Sequence, residues 1–269
     1  LGRYAVTGAN AGIGKAIAAE LLGRGERVVL VCRDRGRGEA ARAELGGASE
    51  LLVADLANRA DVVRAAAALS SEALTGVVLN AGLWPTTRRL TDEGLEEGFV
   101  VNHLATVGFA LALHERLRRD SASVVAVGAG LMVVGRPALD RVRVGSDFHA
   151  VRTYADTKLT GALALRALAR RWEGSGITLN VVHPGVIDTG LGLGGRWFDP
   201  LVRLVKWFWR KPADGARGPV SVALRHDVHG KWFDELVEKP WPAITDDVPL
   251  QEACLEAAES WITGPARAP

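Results

Sequence analysis

The segment Thr7-Gly8-Ala9-Asn10-Ala11-Gly12-Ile13-Gly14-Lys15 follows a short apolar run, Tyr4–Thr7, and leads into the amphipathic stretch Ile13–Leu22. Within that stretch Ile13, Ile17 and Leu21 fall on one helical face. Glycines between a strand and a helix permit a tight turn and let an anionic group approach the backbone. The free N–H groups of the helix start, at the positive end of its dipole, then face the anion. A second apolar, β-branched run ends at Cys32, a spacing that suits a βαβ unit holding a dinucleotide pyrophosphate. Gly8, Asn10, Gly12, Ile13 and Gly14 are therefore the expected contacts of that group.

The alternation continues outward from this unit. Candidate strands lie at Tyr4–Thr7, Arg27–Cys32, Glu50–Ala54, Val77–Asn80, Val124–Val127, Thr178–Val182 and Lys231–Phe233, with helical stretches between them. That order predicts an α/β fold of the Rossmann type, with a parallel sheet and helices on both faces. Asn58 is placed to cap one helix, and Gly46-Gly47 to end the one before it. A length of 269 residues suits a single domain spanning 1–269, and 48% apolar residues can fill a core on both sides of a sheet. A net charge of +2 points neither to nucleic acid nor to a strongly acidic partner.

Cys32 and Cys254 match no metal spacing, the six histidines form no metal constellation, and no metal is expected. No 18-residue apolar run and no leader-like start is read, so a cytoplasmic location is the expectation.

The end of the second strand selects the cofactor. A ribose 2′-hydroxyl wants an acidic acceptor there, whereas a 2′-phosphate wants a cation and no carboxylate. The residues are Val31-Cys32-Arg33-Asp34, with Cys32 in the acid's place and Arg33 able to fork onto a phosphate. NADP(H) is the expected cofactor; the alternative is a surface Arg33 paired with Asp34. Asp55-Leu56 and Asn80-Ala81-Gly82, which close the third and fourth strands, extend the same site.

Tyr154 and Lys158 stand four residues apart and share a helix face. An ammonium beside a phenol draws the tyrosine pKa from about 10 toward neutrality. Such a phenol can give a proton to a carbonyl oxygen while a nicotinamide gives hydride, or run the reverse.

With these residues in place, the chain resembles the short-chain dehydrogenase/reductase family over almost its whole length. The motifs are Thr7–Gly14, Asn80-Ala81-Gly82, Asn102, Tyr154-Ala-Asp-Thr-Lys158, and Pro184-Gly185 with Thr189. Cys32-Arg33-Asp34, Val101-Asn102-His103-Leu104, His183-Pro184-Gly185 and Gly230-Lys231-Trp232-Phe233 look like its retinol dehydrogenase-like branch. The resemblance implies a seven-stranded doubly wound sheet and an NADP(H)-dependent oxidoreductase of carbonyls or alcohols. It also implies that Asn102 completes a proton relay through water and that Lys158 holds the nicotinamide ribose. Thr189 joins the cofactor contacts, and a homodimer through the helices bearing Asn102 and Tyr154 is consistent with the pattern.

One family residue is absent. Where the family carries a serine after its fifth strand, this chain reads Val127-Gly128-Ala129-Gly130, with Ala129 at the serine position. Loss of one such donor costs ~3–4 kcal/mol of transition-state stabilisation. Three readings follow. Another donor, from Thr153, Ser146 or His149, replaces the serine in a reductase; the site performs isomerisation, elimination or cyclisation; or the protein only binds a dinucleotide. The intact Tyr154–Lys158 pair argues against the last.

The segment from Gly190 to about Trp241 carries five of the eight tryptophans and reads as a substrate lid. Trp197, Leu201, Leu204, Val205 and Phe208 share one helical face, opposite Arg196, Arg203, Lys206 and Arg210. A lid over an apolar or polycyclic small molecule, contact with a membrane surface, and simple packing on the core all fit that pattern.

Overall fold

The computed structural model describes residues 1–185 and 211–264. Eight strands form one sheet: β1 Arg3–Thr7, β2 Arg27–Cys32, β3 Ser49–Val53, β4 Gly76–Leu79, β5 Ser123–Val127, β6 Thr178–His183, β7 Trp232–Asp234 and β8 Val237–Lys239. Their order is β3-β2-β1-β4-β5-β6-β7-β8, parallel throughout except for the β7–β8 pair. Central strands such as Tyr4-Ala-Val and Val28-Val-Leu-Val are buried on both faces, which is why they read as continuous apolar runs.

The expected seven strands fall within a residue or two of those observed; the eighth corrects the count. Val237-Glu238-Lys239 is wholly exposed, and only pairing with β7 makes it a strand. Short and charged, it is a safe edge.

One face of the sheet carries α1 Gly12–Gly23, α2 Arg35–Leu45 and α6 Pro212–Ala223, packed through Ile17, Leu21 and Val220. The other carries α3 Arg59–Leu69, α4 Thr106–Ala112, α5 Ala150–Arg171 and α7 Val248–Thr263, with Phe109, Leu159, Leu163 and Leu255 in the core. Asn58 caps α3 by accepting the Asp61 N–H, and Gly46 ends α2 at φ 61°. Both match the expectation.

Within the 190–241 stretch, residues 211–241 supply α6, β7 and β8, and Trp232 packs in the core against Trp241 at 5.6 Å between ring centroids. The face defined by Trp197 to Phe208 lies outside the described residues, as does Thr189.

In this strand order the chain reverses direction across the sheet between β1 and β4. Loops leaving the carboxyl ends of those two strands diverge there and open a crevice, the usual ligand position in such sheets.

Candidate active site

A cavity of about 610 Å³ occupies that crevice. Gly8, Asn10, Gly12, Ile13 and Gly14 form its floor at the start of α1. Ala11, the residue before α1, offers no side-chain cap to the helix start. Gly14 is the tightest point: a Cβ there would stand 2.4 Å from the Gly8 carbonyl oxygen and 2.4 Å from Asn80 Nδ2. Asn80 holds the turn from the other side. Its Nδ2 donates to the Thr7 carbonyl at 2.9 Å, and the Asn80 and Ala81 N–H groups each donate to Thr7 Oγ1 at 2.9 Å. A cradle of backbone that no side chain can enter, at a bare helix start, fits a pyrophosphate.

Beyond β2, Arg33 lines the cavity with 59% of its side chain exposed and Glu97 Oε1 at 3.5 Å from its Nη1. Asp34 does not pair with it. The Asp34 carboxylate instead accepts the Arg37 N–H at 2.7 Å and caps α2. That capped turn brings Arg37, which the sequence reading missed, to the same wall. Cys32 is buried under the glycine loop beside the Ala9 and Asn10 N–H groups, and burial pushes its thiol up to about 11. Asp55 and Leu56 complete this end, with Asp55 Oδ1 accepting the Ala57 N–H at 2.9 Å.

Tyr154 and Lys158 reach the other end of the cavity from α5. The phenol differs from the sequence expectation. Its pKa is not drawn toward neutrality but pushed up to about 12 by burial. Trp84 stacks on the phenol ring, centroids 4.5 Å apart and planes 7° apart, and shields one face from water. Lys158 directs its Nζ at the Val127 carbonyl, 3.3 Å away, and burial lowers it to about 8. No pull from the ammonium offsets burial at the phenol. Desolvation wins at both groups.

Asn102 lies in a π-helical turn, Val100–Ala105, that runs into α4. Its side chain is committed to the protein. Oδ1 accepts the Leu83 N–H at 2.8 Å, while Nδ2 donates to the Leu83 carbonyl at 2.8 Å and to Thr157 Oγ1 at 2.9 Å. Thr157 Oγ1 donates in turn to the Tyr154 carbonyl at 2.9 Å. The amide thus ties the Gly82–Trp84 wall to the helix carrying Tyr154 and does not itself line the cavity.

Ala129, just past β5, does line the cavity. Neither Ser146 nor His149 does; both are exposed, and the His149 ring caps α5. Thr153 is buried away from it, with Oγ1 accepting the His149 N–H at 3.0 Å. These three replacement donors are therefore corrected. The histidine that does reach the cavity is His183, at the end of β6. Its place in the His183-Pro184-Gly185 motif was the signal available in the sequence. Among the described residues no group of acidic, histidine or cysteine side chains suits a metal, and no helix is long and apolar enough to cross a membrane.

Residues 4–193 match the family model described as short chain dehydrogenase. The chain belongs to the short-chain dehydrogenase family. This short-chain dehydrogenase is 35% identical over 262 residues to retinol dehydrogenase 14 of Mus musculus, covering 87% of this chain and 78% of that one. It is 39% identical over 265 residues to dehydrogenase/reductase SDR family member 13 of Bos taurus, covering 91% and 70%. Among solved structures it superposes with a TM-score of 0.69 on a protein assigned as an NAD(P)-dependent gluconate 5-dehydrogenase of Beutenbergia cavernae. That match is at 25% identity over 87% of this chain and 94% of the other, whose structure holds NADP at low occupancy. The chain thus falls in the retinol dehydrogenase-like branch of a family of alcohol and carbonyl oxidoreductases.

Proposed function

We propose that this dehydrogenase uses NADP(H) to interconvert a carbonyl and an alcohol on a bulky apolar small molecule. The observation that carries the reading is the lining of a single cavity by three cations and one phenol. Arg33 and Arg37 stand at the β2 end, and Tyr154 with Lys158 at the other. The contact between the exposed Arg33 and the largely buried Glu97 is long, 3.5 Å, and leaves the rest of the guanidinium open to a 2′-phosphate. The apolar wall formed by Leu83, Trp84, Ala129 and Leu131 suits an apolar substrate.

When bound, the reduced nicotinamide supplies hydride to the carbonyl carbon. The protein's part concerns the oxygen. Tyr154, protonated at neutral pH, donates its Oη proton to that oxygen and takes it back in the reverse reaction. Lys158, at the same end of the cavity, would hold a ribose hydroxyl of the cofactor and would stabilise the phenolate. Asn102 is a positioning residue, holding Leu83 and, through Thr157, the turn of α5 that bears Tyr154.

A second reading is favoured by one observation. Tyr154 carries the only hydroxyl among the described residues lining the cavity, because Ala129 stands where we place the family's serine. In that reading the site performs isomerisation, elimination or cyclisation with the nicotinamide unchanged. Incubation with NADPH and a panel of ketones, followed at the nicotinamide absorbance, separates the two. Oxidation of NADPH that is lost in Tyr154→Phe supports the dehydrogenase; product without NADPH oxidation supports the alternative.

A further inference from the structure

A carbonyl oxygen that receives a proton while its carbon receives hydride carries developing negative charge. It is held best by two donors, of which only one gives up its proton. Tyr154 is one. Ala129 offers a methyl group where the second is needed.

His183 lies next to that gap. Its Nδ1 accepts the N–H of Gly130, the residue after Ala129, at 3.1 Å. The ring packs against the bare Cα of Gly130, where a Cβ would stand 2.9 Å from Nε2 and 3.2 Å from Cε1. An imidazole nitrogen that accepts a backbone N–H is unprotonated, so in the neutral ring the proton sits on Nε2. Among the described residues nothing hydrogen-bonds to Nε2, and the ring borders the same cavity as Ala129 and Tyr154. Burial lowers its pKa, against an opposing pull from Asp234 and Glu235, which favours the neutral ring at pH 7.

The buried His103 and the half-buried His229 differ. His103 Nε2 is engaged by the Cys254 carbonyl, and His229 spans the Leu179 N–H and the Ala169 carbonyl.

We propose that the Nε2–H of His183 is the second donor to the substrate oxygen, in place of the serine hydroxyl that Ala129 lacks. The inference rests on the carbonyl/alcohol reading given above. The proton added to oxygen comes from Tyr154 Oη, and the phenolate left behind is reprotonated from solvent. His183 keeps its own proton throughout, and the hydride comes from reduced nicotinamide. A neutral imidazole that polarises a carbonyl in this way is established chemistry elsewhere.

The test combines structure and kinetics. Nitrogen-15 NMR of the ligand-free protein should show His183 as the Nε2–H tautomer; an Nδ1–H tautomer overturns the assignment. With a ketone that the wild type reduces, His183→Ala should lower kcat on the order of 100-fold while NADPH affinity stays within a few fold. His183→Phe, which keeps the ring's bulk but has no donor, should lose kcat to the same extent, which separates loss of the donor from loosening of the wall. Adding Ala129→Ser to either variant should recover tenfold or more, because both donors serve one oxygen. A loss that serine does not rescue marks a structural histidine and overturns the proposal, as does wild-type kcat in both variants. A wild-type protein that binds NADPH but turns over no ketone or alcohol fails at the earlier reading. That outcome differs from failure of His183 alone, in which the wild type still turns over the ketone.

Discussion

The indole of Trp84 lies flat against the phenol of Tyr154, 4.5 Å between centroids and 7° between planes. Such a contact contributes about 0.5–1.5 kcal/mol and removes water from one face of the ring. It joins the wall after β4 to Tyr154 of α5, so one side chain both lines the cavity and covers a face of the phenol.

Trp84→Ala should therefore hydrate the phenol and bring its pKa down from about 12 toward the ordinary 10. Alcohol oxidation needs the phenolate. Its alkaline rise should shift to lower pH by on the order of one unit, whereas Trp84→Phe should shift it little. A pH profile identical in Trp84→Ala and wild type would show that the rest of the cavity alone desolvates Tyr154.

Two arginines, Arg33 and Arg37, line the β2 end of the cavity. Arg33→Ala should weaken NADPH about tenfold and leave a residual preference over NADH, since Arg37 lines the same wall. The double variant Arg33→Ala/Arg37→Ala should bind both nucleotides alike. Glu97→Gln, which removes the carboxylate 3.5 Å from Arg33, should tighten NADPH a few fold at low salt. Fluorescence titration of the four proteins decides this, and equal NADPH and NADH affinities in wild type would refute the 2′-phosphate assignment.

Gly14→Ala places a methyl 2.4 Å from Gly8 O and Asn80 Nδ2. The turn must open, and NADPH affinity should fall on the order of 100-fold. Calorimetric titration measures the loss; affinity within threefold of wild type would mean that the loop does not hold the pyrophosphate.

Lys158 burdens the ligand-free protein. Burial lowers its pKa to about 8 from 10.5, so between those values the unfolded chain binds more protons and stability rises with pH. The penalty is fully present below pH 8 and gone above about 10.5. Lys158→Met should thus stabilise the ligand-free protein at pH 7 by about 1–3 kcal/mol, an advantage that shrinks steadily toward pH 10 while NADPH binding is lost. Urea melts of both proteins across that range check the sign.

By itself the sequence determined the α/β class, seven of the eight strands, the glycine turn and the Tyr154–Lys158 pair. Each is written locally: apolar runs long enough to be buried on both faces, glycines where backbone must come close, two side chains one helical turn apart. Tertiary structure decided the rest. β8 exists only as the partner of β7. Asp34 turned from Arg33 to cap α2 because the first N–H groups of a helix need acceptors, and that cap carried Arg37 to the cavity. Thr153, Ser146 and His149 precede Tyr154 closely in sequence yet face elsewhere, while His183, 29 residues beyond Tyr154, meets Gly130 across the β5–β6 edge. The acidity of Tyr154 was likewise beyond sequence, since a phenol's pKa depends on the water and charge around it. Here Trp84, 70 residues away in the chain, takes the water's place.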